Sequence, residues 1–193
     1  MNEHTSIAWR RLDLPGHESA ELVRTANGWL LSGVAELTDQ AHPARLKYAI
    51  ACDAEWRTQR CEIRGTIDAW PVTLDVACDA HGKWTANGTS LPAIAGCVDI
   101  DLGFTPITNT IPIRRLRLPI GEGAPVLAVW VRFPQLTIEM LDQRYSRLAA
   151  NRYLYESAGG SFRRELTVDD NGFVLDYPGL WVAQPRMRHD AAC

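Results

Sequence analysis

Apolar and polar side chains alternate through much of this chain. From Trp70 to Val76 the even positions 70, 72, 74 and 76 are apolar, while Thr73 and Asp75 are polar. A period of two belongs to a strand with one buried face. Val98-Asp99-Ile100-Asp101-Leu102 repeats the pattern. Strand-like runs recur through residues 20–86, return at Val126–Phe133, and appear again at 162–182. Turn chemistry divides them. Asn27-Gly28 separates Glu21–Ala26 from Trp29–Leu37, and Asn171-Gly172 separates Phe162–Asp169 from Phe173–Tyr177. Asn-Gly supplies the positive φ angles of a two-residue hairpin loop. Asp53-Ala54-Glu55, Asp79–Gly82 and Asn87-Gly88 mark further turns. The pattern predicts a mainly β chain built of antiparallel strands, forming one domain over residues 1–193.

Two stretches read as helices. One opens at Thr108-Asn109-Thr110, with Asn109 or Thr110 as N-cap and Pro112 in the first turn, and stops before Pro119. The other covers about Ile138–Asn151, where Met140, Leu141, Tyr145 and Leu148 recur at helix-like spacing. The tail from Pro185 to Cys193 is polar and is expected to fray.

The segment Cys97–Arg117 holds the densest candidate chemistry. Asp99 and Asp101 share one face of a strand, with Cβ atoms roughly 7 Å apart. Two carboxylates at that distance repel by about 2–3 kcal/mol at an effective dielectric near 20, so a shielded face needs donors or cations. Arg114, Arg115 and Arg117 follow, and Thr105, Thr108, Asn109 and Thr110 add hydroxyl and amide groups. One reading is an internal ion-pair network that fixes the short helix to the sheet. A second is a polar pocket in which arginine forks grip a headgroup, with Tyr145 offering a hydroxyl. A third is glycosidase-like catalysis by the acid pair, which neighbouring arginines oppose by keeping both acids ionised.

Composition narrows the classes. A net charge of −3 disfavours nucleic-acid binding. The longest uncharged run, Ala86–Val98, is too short to span a bilayer and is broken by Gly and Pro. Met1–His4 shows no secretory signal. Five cysteines without a C-x-x-C pair read as reduced thiols, so a cytoplasmic location is expected, with the thiols at 52, 61, 78 and 97 packed in the core. Seven tryptophans suggest large interior side chains; Trp29, Trp70, Trp130 and Trp181 lie in strand-like runs and read as core. The five histidines lack ligand spacing, and no nucleophile motif or phosphate loop is visible, so no metal or cofactor is expected.

The run Asp99-Ile100-Asp101-Leu102-Gly103-Phe104-Thr105-Pro106, continuing into Thr108–Leu116, resembles a bacterial family described as glycolipid-binding, formerly a domain of unknown function. Trp9-Arg10, Trp130–Pro134, Gln143–Tyr145, Tyr155–Ser157, Asp170–Val174 and Tyr177–Trp181 agree with it, so the likeness spans about residues 7–183. The resemblance implies a curved antiparallel sheet wrapped into an open barrel or roll, similar to lipoprotein-carrier half-barrels, with a glycolipid or lipid ligand. It transfers no catalytic residue.

The expectation is a non-catalytic binder of a glycolipid or other amphiphile in the concave face of the sheet. Asp99, Asp101, Thr108, Asn109, Arg114, Arg115 and Tyr145 are the candidate ligand-binding residues. A hydrolase using Asp99 or Asp101, and an interaction module without a small ligand, are the alternatives.

Overall fold

The computed structural model describes residues 4–39 and 42–185. Among the described residues, fifteen strands form one sheet. They are β1 (His4–Arg11), β2 (Gly16–Thr25), β3 (Gly28–Asp39), β4 (His42–Cys52), β5 (Thr58–Ile67), β6 (Trp70–Cys78), β7 (Trp84–Ala86), β8 (Thr89–Ser90), β9 (Asp99–Leu102), β10 (Gly123–Arg132), β11 (Thr137–Ala149), β12 (Arg152–Ser157), β13 (Phe162–Val168), β14 (Val174–Tyr177) and β15 (Trp181–Ala183). Their spatial order is β8-β7-β6-β5-β4-β3-β2-β1-β15-β14-β13-β12-β11-β10-β9. Every pairing is antiparallel except the last, where β9 runs parallel to β10. An α-helix, α1 (Thr110–Leu116), follows a 3-10 turn at Ile107–Asn109.

The sheet is curved but its ladder does not close. Two hydrogen bonds hold the roll across the gap instead. The Thr58 amide donates to the Val98 carbonyl at 3.1 Å, and Trp84 Nε1 donates to the Cys97 carbonyl at 3.0 Å. Both tie the segment before β9 to the opposite half of the sheet. Segment 102–116 then crosses the interior as a plug. Leu102, Phe104, Ile107 and Ile111 are fully buried in it. Phe104 meets Tyr48 of β4 edge-on, and Thr110 Oγ1 donates to the Gly172 carbonyl at 3.0 Å. The hollow expected inside the roll is therefore occupied by the chain's own side chains.

Five of the seven tryptophans lie in this core: Trp9, Trp29, Trp56, Trp84 and Trp181. Trp29 and Trp56 stack at 4.6 Å. Trp70 does not belong to the core. It opens β6 directly after a tight turn and is 76% exposed, so it points off the end of the hairpin. Cys52, Cys61 and Cys97 are buried free thiols and Cys78 is partly buried. Among the described residues, no helix is long and apolar enough to cross a membrane. Of the tail read as frayed, residues 186–193 lie outside the described residues.

The helix expected over 138–151 is instead the thirteen-residue strand β11. It pairs with β10 along one edge and β12 along the other. Gln143 and Tyr145 are buried, while Met140 and Leu148 are exposed. Leu141 and Tyr145 of the expected stripe share strand parity with the buried Gln143, while Met140 and Leu148 fall on the opposite face, so the helix-like spacing scatters over both faces of a strand. Ladder pairing on both edges overrides the spacing.

The hairpins form where turn chemistry places them, with some loops shifted. Thr25 pairs with Gly28, so Ala26-Asn27 forms the loop and Gly28 already belongs to β3. Asn87-Gly88 and Asp68-Ala69 are two-residue loops with positive φ at both positions. Mirror-image turns of this kind match the right-handed twist of the strands they join.

Candidate functional site

The acid–arginine segment is placed by β9 and α1. Asp99 and Asp101 share a face with Ala128 and Trp130 of β10, as their register dictates; Ile100 and Leu102 lie on the other face with Val129 and Val131. Asp99 is 1% exposed and holds Arg115 in a fork, Nε at 2.8 Å and Nη2 at 2.6 Å. Burial raises the Asp99 pKa, and the guanidinium opposes that rise. Asp101 accepts from Gln143 Nε2 at 2.6 Å, and Gln143 also donates to the Tyr155 hydroxyl at 3.0 Å. Burial pushes Asp101 up to about 6, with the Gln143 hydrogen bond pulling the other way. Asn109 donates to the Pro106 carbonyl at 3.1 Å and accepts from the Tyr145 hydroxyl at 2.8 Å. Its side chain makes no cap bond to α1, so it anchors the plug to β11 instead. Thr108 is buried, with Oγ1 unpartnered among the described residues. Arg114 departs from this group. It lies over Trp56 and Trp29 at 5.3 and 5.8 Å and donates to the Asp170 carbonyl at 3.3 Å.

The seven candidates thus divide. Asp99 meets Arg115, Asn109 meets Tyr145, and Asp101 is bound to a glutamine rather than to any of the six others. These contacts turn polar groups toward one another across the plug. Of these contacts Asp99–Arg115 is an ion pair and joins α1 to β9, while Asp101–Gln143 and Asn109–Tyr145 are hydrogen bonds. Asp99 has no free edge, so the two acids offer no open carboxylate pair for glycoside chemistry.

A further buried acid lies outside the residues that the sequence singles out. Glu18 on β2 is 1% exposed, and its Oε1 accepts from the Tyr48 hydroxyl and from Thr105 Oγ1, the latter at 2.7 Å. Its Oε2 has no partner among the described residues. Burial pushes its pKa up to about 8, with Thr105 and Tyr48 opposing, so the acid is predominantly protonated at neutral pH. Tyr48 reaches it by lying flat over Gly33, where a Cβ would collide with the phenol. A signal existed in the sequence. Glu18 has the same strand parity as Ala20 and Leu22, and so shares their inward face.

Two cavities matter for ligands. A groove of about 1240 Å³ runs along β1 to β4 and is bounded by Gln184 and Pro185. The exposed side chains along it alternate with the buried Trp9, Glu18, Ala20 and Tyr48. It therefore lies on the outer face of the sheet, with small residues such as Ala8, Ser19 and Ser32 as its floor. His17, Glu21 and Lys47 give it a polar margin. A smaller cavity of about 320 Å³ lies at one end of the roll, among Arg114, Arg117 and Arg147. Among the described residues, no group of three or more His, Cys, Asp or Glu side chains is placed to hold a metal ion.

An open, mainly antiparallel β-roll with a plugged interior and outward-facing cavities is the class this fold defines. The family described as "Putative glycolipid-binding" matches residues 6–183, and the chain belongs to that family. The chain is also similar to a crystal structure of a DUF1089 family protein from Pseudomonas aeruginosa, at 35% identity and a TM-score of 0.76. That match covers 84% of this chain and 89% of the other. No curated protein gives a match. The family description assigns binding at the level of the family.

Proposed function

We propose that this protein binds an amphiphile of the glycolipid class without transforming it, in the groove on the outer face of β1–β4. The observation that carries this reading is the size and lining of that groove. Its volume of about 1240 Å³ exceeds the usual few hundred to 1,000 Å³ of a small-molecule site. Ala8 and Val34 supply apolar surface, and Ser6, Ser19 and Ser32 supply hydroxyls for sugar groups. The plugged interior argues against a ligand inside the roll.

Magnitudes show that both halves of the ligand are needed. A fully buried methylene is worth about 0.8 kcal/mol, so a chain covered on one side gains roughly half that. Ten methylenes then give about 4 kcal/mol, which alone corresponds to millimolar binding. Sugar contacts at the serines and the polar margin supply the remainder.

Titration calorimetry with octyl, nonyl and decyl glucoside below their micellar thresholds tests the reading. Saturable binding that tightens about twofold per methylene is expected. Ser32→Trp, which fills the groove floor, should abolish it. No saturable binding, or equal binding by the variant, would refute the assignment.

A further inference from the structure

The cavity at the end of the roll has an unusual charge arrangement. Arg114, Arg117 and Arg147 all line it, and none of the three forms an ion pair among the described residues. Two are fixed by neutral partners. Arg147 donates to the carbonyls of Leu118 at 2.9 Å, Ala150 at 2.8 Å and Ala149 at 3.3 Å, and lies over Tyr153. Arg114 is fixed by the Trp29–Trp56 stack and the Asp170 carbonyl. Carbonyls and rings satisfy N–H groups without cancelling charge. Arg117 stands at the helix end in a left-handed conformation, with φ 47, and is exposed.

Two acids also border the cavity, and one is hydrogen-bonded by neutral amides, which leave its charge uncancelled. Asp169 Oδ1 accepts from the Asn171 and Phe173 amides, and its Oδ2 accepts from Asn171 Nδ2. Asp170 is exposed, and its backbone carbonyl takes the Arg114 bond. The three guanidinium groups therefore outnumber the acids, and the cavity of about 320 Å³ has room for a tetrahedral oxyanion.

We infer that Arg114, Arg117 and Arg147 form a binding site for a phosphate monoester, carried either by a lipid headgroup or by a small soluble molecule. Guanidinium forks match the geometry of phosphate oxygens, and positional fixing of Arg114 and Arg147 removes part of the ordering cost. The site stands at the turn end of the roll. Its lining shares no residue with the outer groove, so the inference does not depend on glucoside binding there.

Calorimetry and ³¹P NMR at low ionic strength test it, using inorganic phosphate, dihexanoyl phosphatidic acid and dihexanoyl phosphatidylcholine as separate probes. The full chain should bind phosphate saturably. Arg117→Gln, which breaks no ion pair among the described residues, should weaken binding roughly tenfold or more. Arg114→Lys, which keeps the charge but loses the fork, should weaken it as well. Arg64→Gln, a control of equal charge change at a distant exposed position, should leave it unaltered, as should Ser32→Trp. Tighter binding of the phosphatidic acid than of free phosphate, with the choline diester ignored, assigns the monoester to a lipid. Equal binding assigns it to a soluble molecule. Absence of saturable binding by both monoester probes overturns the site, and so does an equal loss in Arg64→Gln and Arg117→Gln.

Discussion

The plug and the outer groove are both rich in polar residues, and they use them in opposite ways. In segment 97–117 the polar groups meet one another. Asp99 is taken by Arg115, Asn109 by Tyr145, and Thr105 by Glu18. Along β1–β4 the hydroxyls of Ser6, Ser19 and Ser32 line open space. The plug is conspicuous in sequence because carboxylates two apart precede an arginine cluster. The groove is inconspicuous because its side chains are small. Density of polar residues therefore measures how much desolvation must be compensated inside. It is the absence of an internal partner that marks a place for a ligand.

Substitutions sharpen this contrast, beginning with the plug. Asp99→Ala leaves the Arg115 guanidinium without its counter-charge beside the core. Breaking one side of a buried pair costs about 3–5 kcal/mol, and urea denaturation should show a loss of that order. A loss near zero would mean that the pair is not holding α1 to β9.

Glu18 gives the next effect, and it depends on pH. Its pKa of about 8 in the fold lies above the usual carboxylate value of 4.5. The native state therefore holds more protons than the unfolded chain between those values, and stability falls as pH rises through that window. The fall should total a few kcal/mol by pH 9. Glu18→Gln removes the titration. It should flatten the profile, with the variant close to wild type at pH 5 and more stable than it at pH 9. Thermal melts across pH 5–9 check this, and an unchanged slope in the variant would place the titration elsewhere.

Tyr145→Phe removes the donor to Asn109 Oδ1 and should cost about 1–2 kcal/mol, since the acceptor stays buried. At the far end of the scale, Ser32→Trp in the groove should change stability by no more than about 0.5 kcal/mol while removing amphiphile binding. A variant that loses binding without losing stability is the signature expected of the groove. The reverse is expected of the plug.

The alternating pattern and turn residues carried most of the architecture. Trp70–Val76 and Asp99–Leu102 are strands as their period requires. Asp53-Ala54-Glu55 and Asp79–Gly82 separate strands where expected. β11 was illegible for a physical reason. Its apolar residues fall on both faces, Leu141 and Tyr145 on one and Met140 and Leu148 on the other, and the inward face also carries Gln143, so no apolar period of two stands out. The shift of the first hairpin loop to Ala26-Asn27 is a matter of register, which cross-strand pairing sets. At the candidate site, the Asp99–Arg115 pair was legible because an acid pair in a buried strand demands cations. Neither the Glu18–Tyr48–Thr105 contact nor the arginine cavity was. Each gathers residues from distant parts of the chain, and their meeting is decided by how the sheet rolls.

The most direct test is photo-crosslinking with an alkyl glucoside bearing a diazirine in its chain, followed by peptide mapping. Label in residues 6–9, 17–21 and 32–34, lost in Ser32→Trp, is the result predicted here. Label concentrated in residues 99–116 instead would place the ligand against the plug and contradict an outward-facing site.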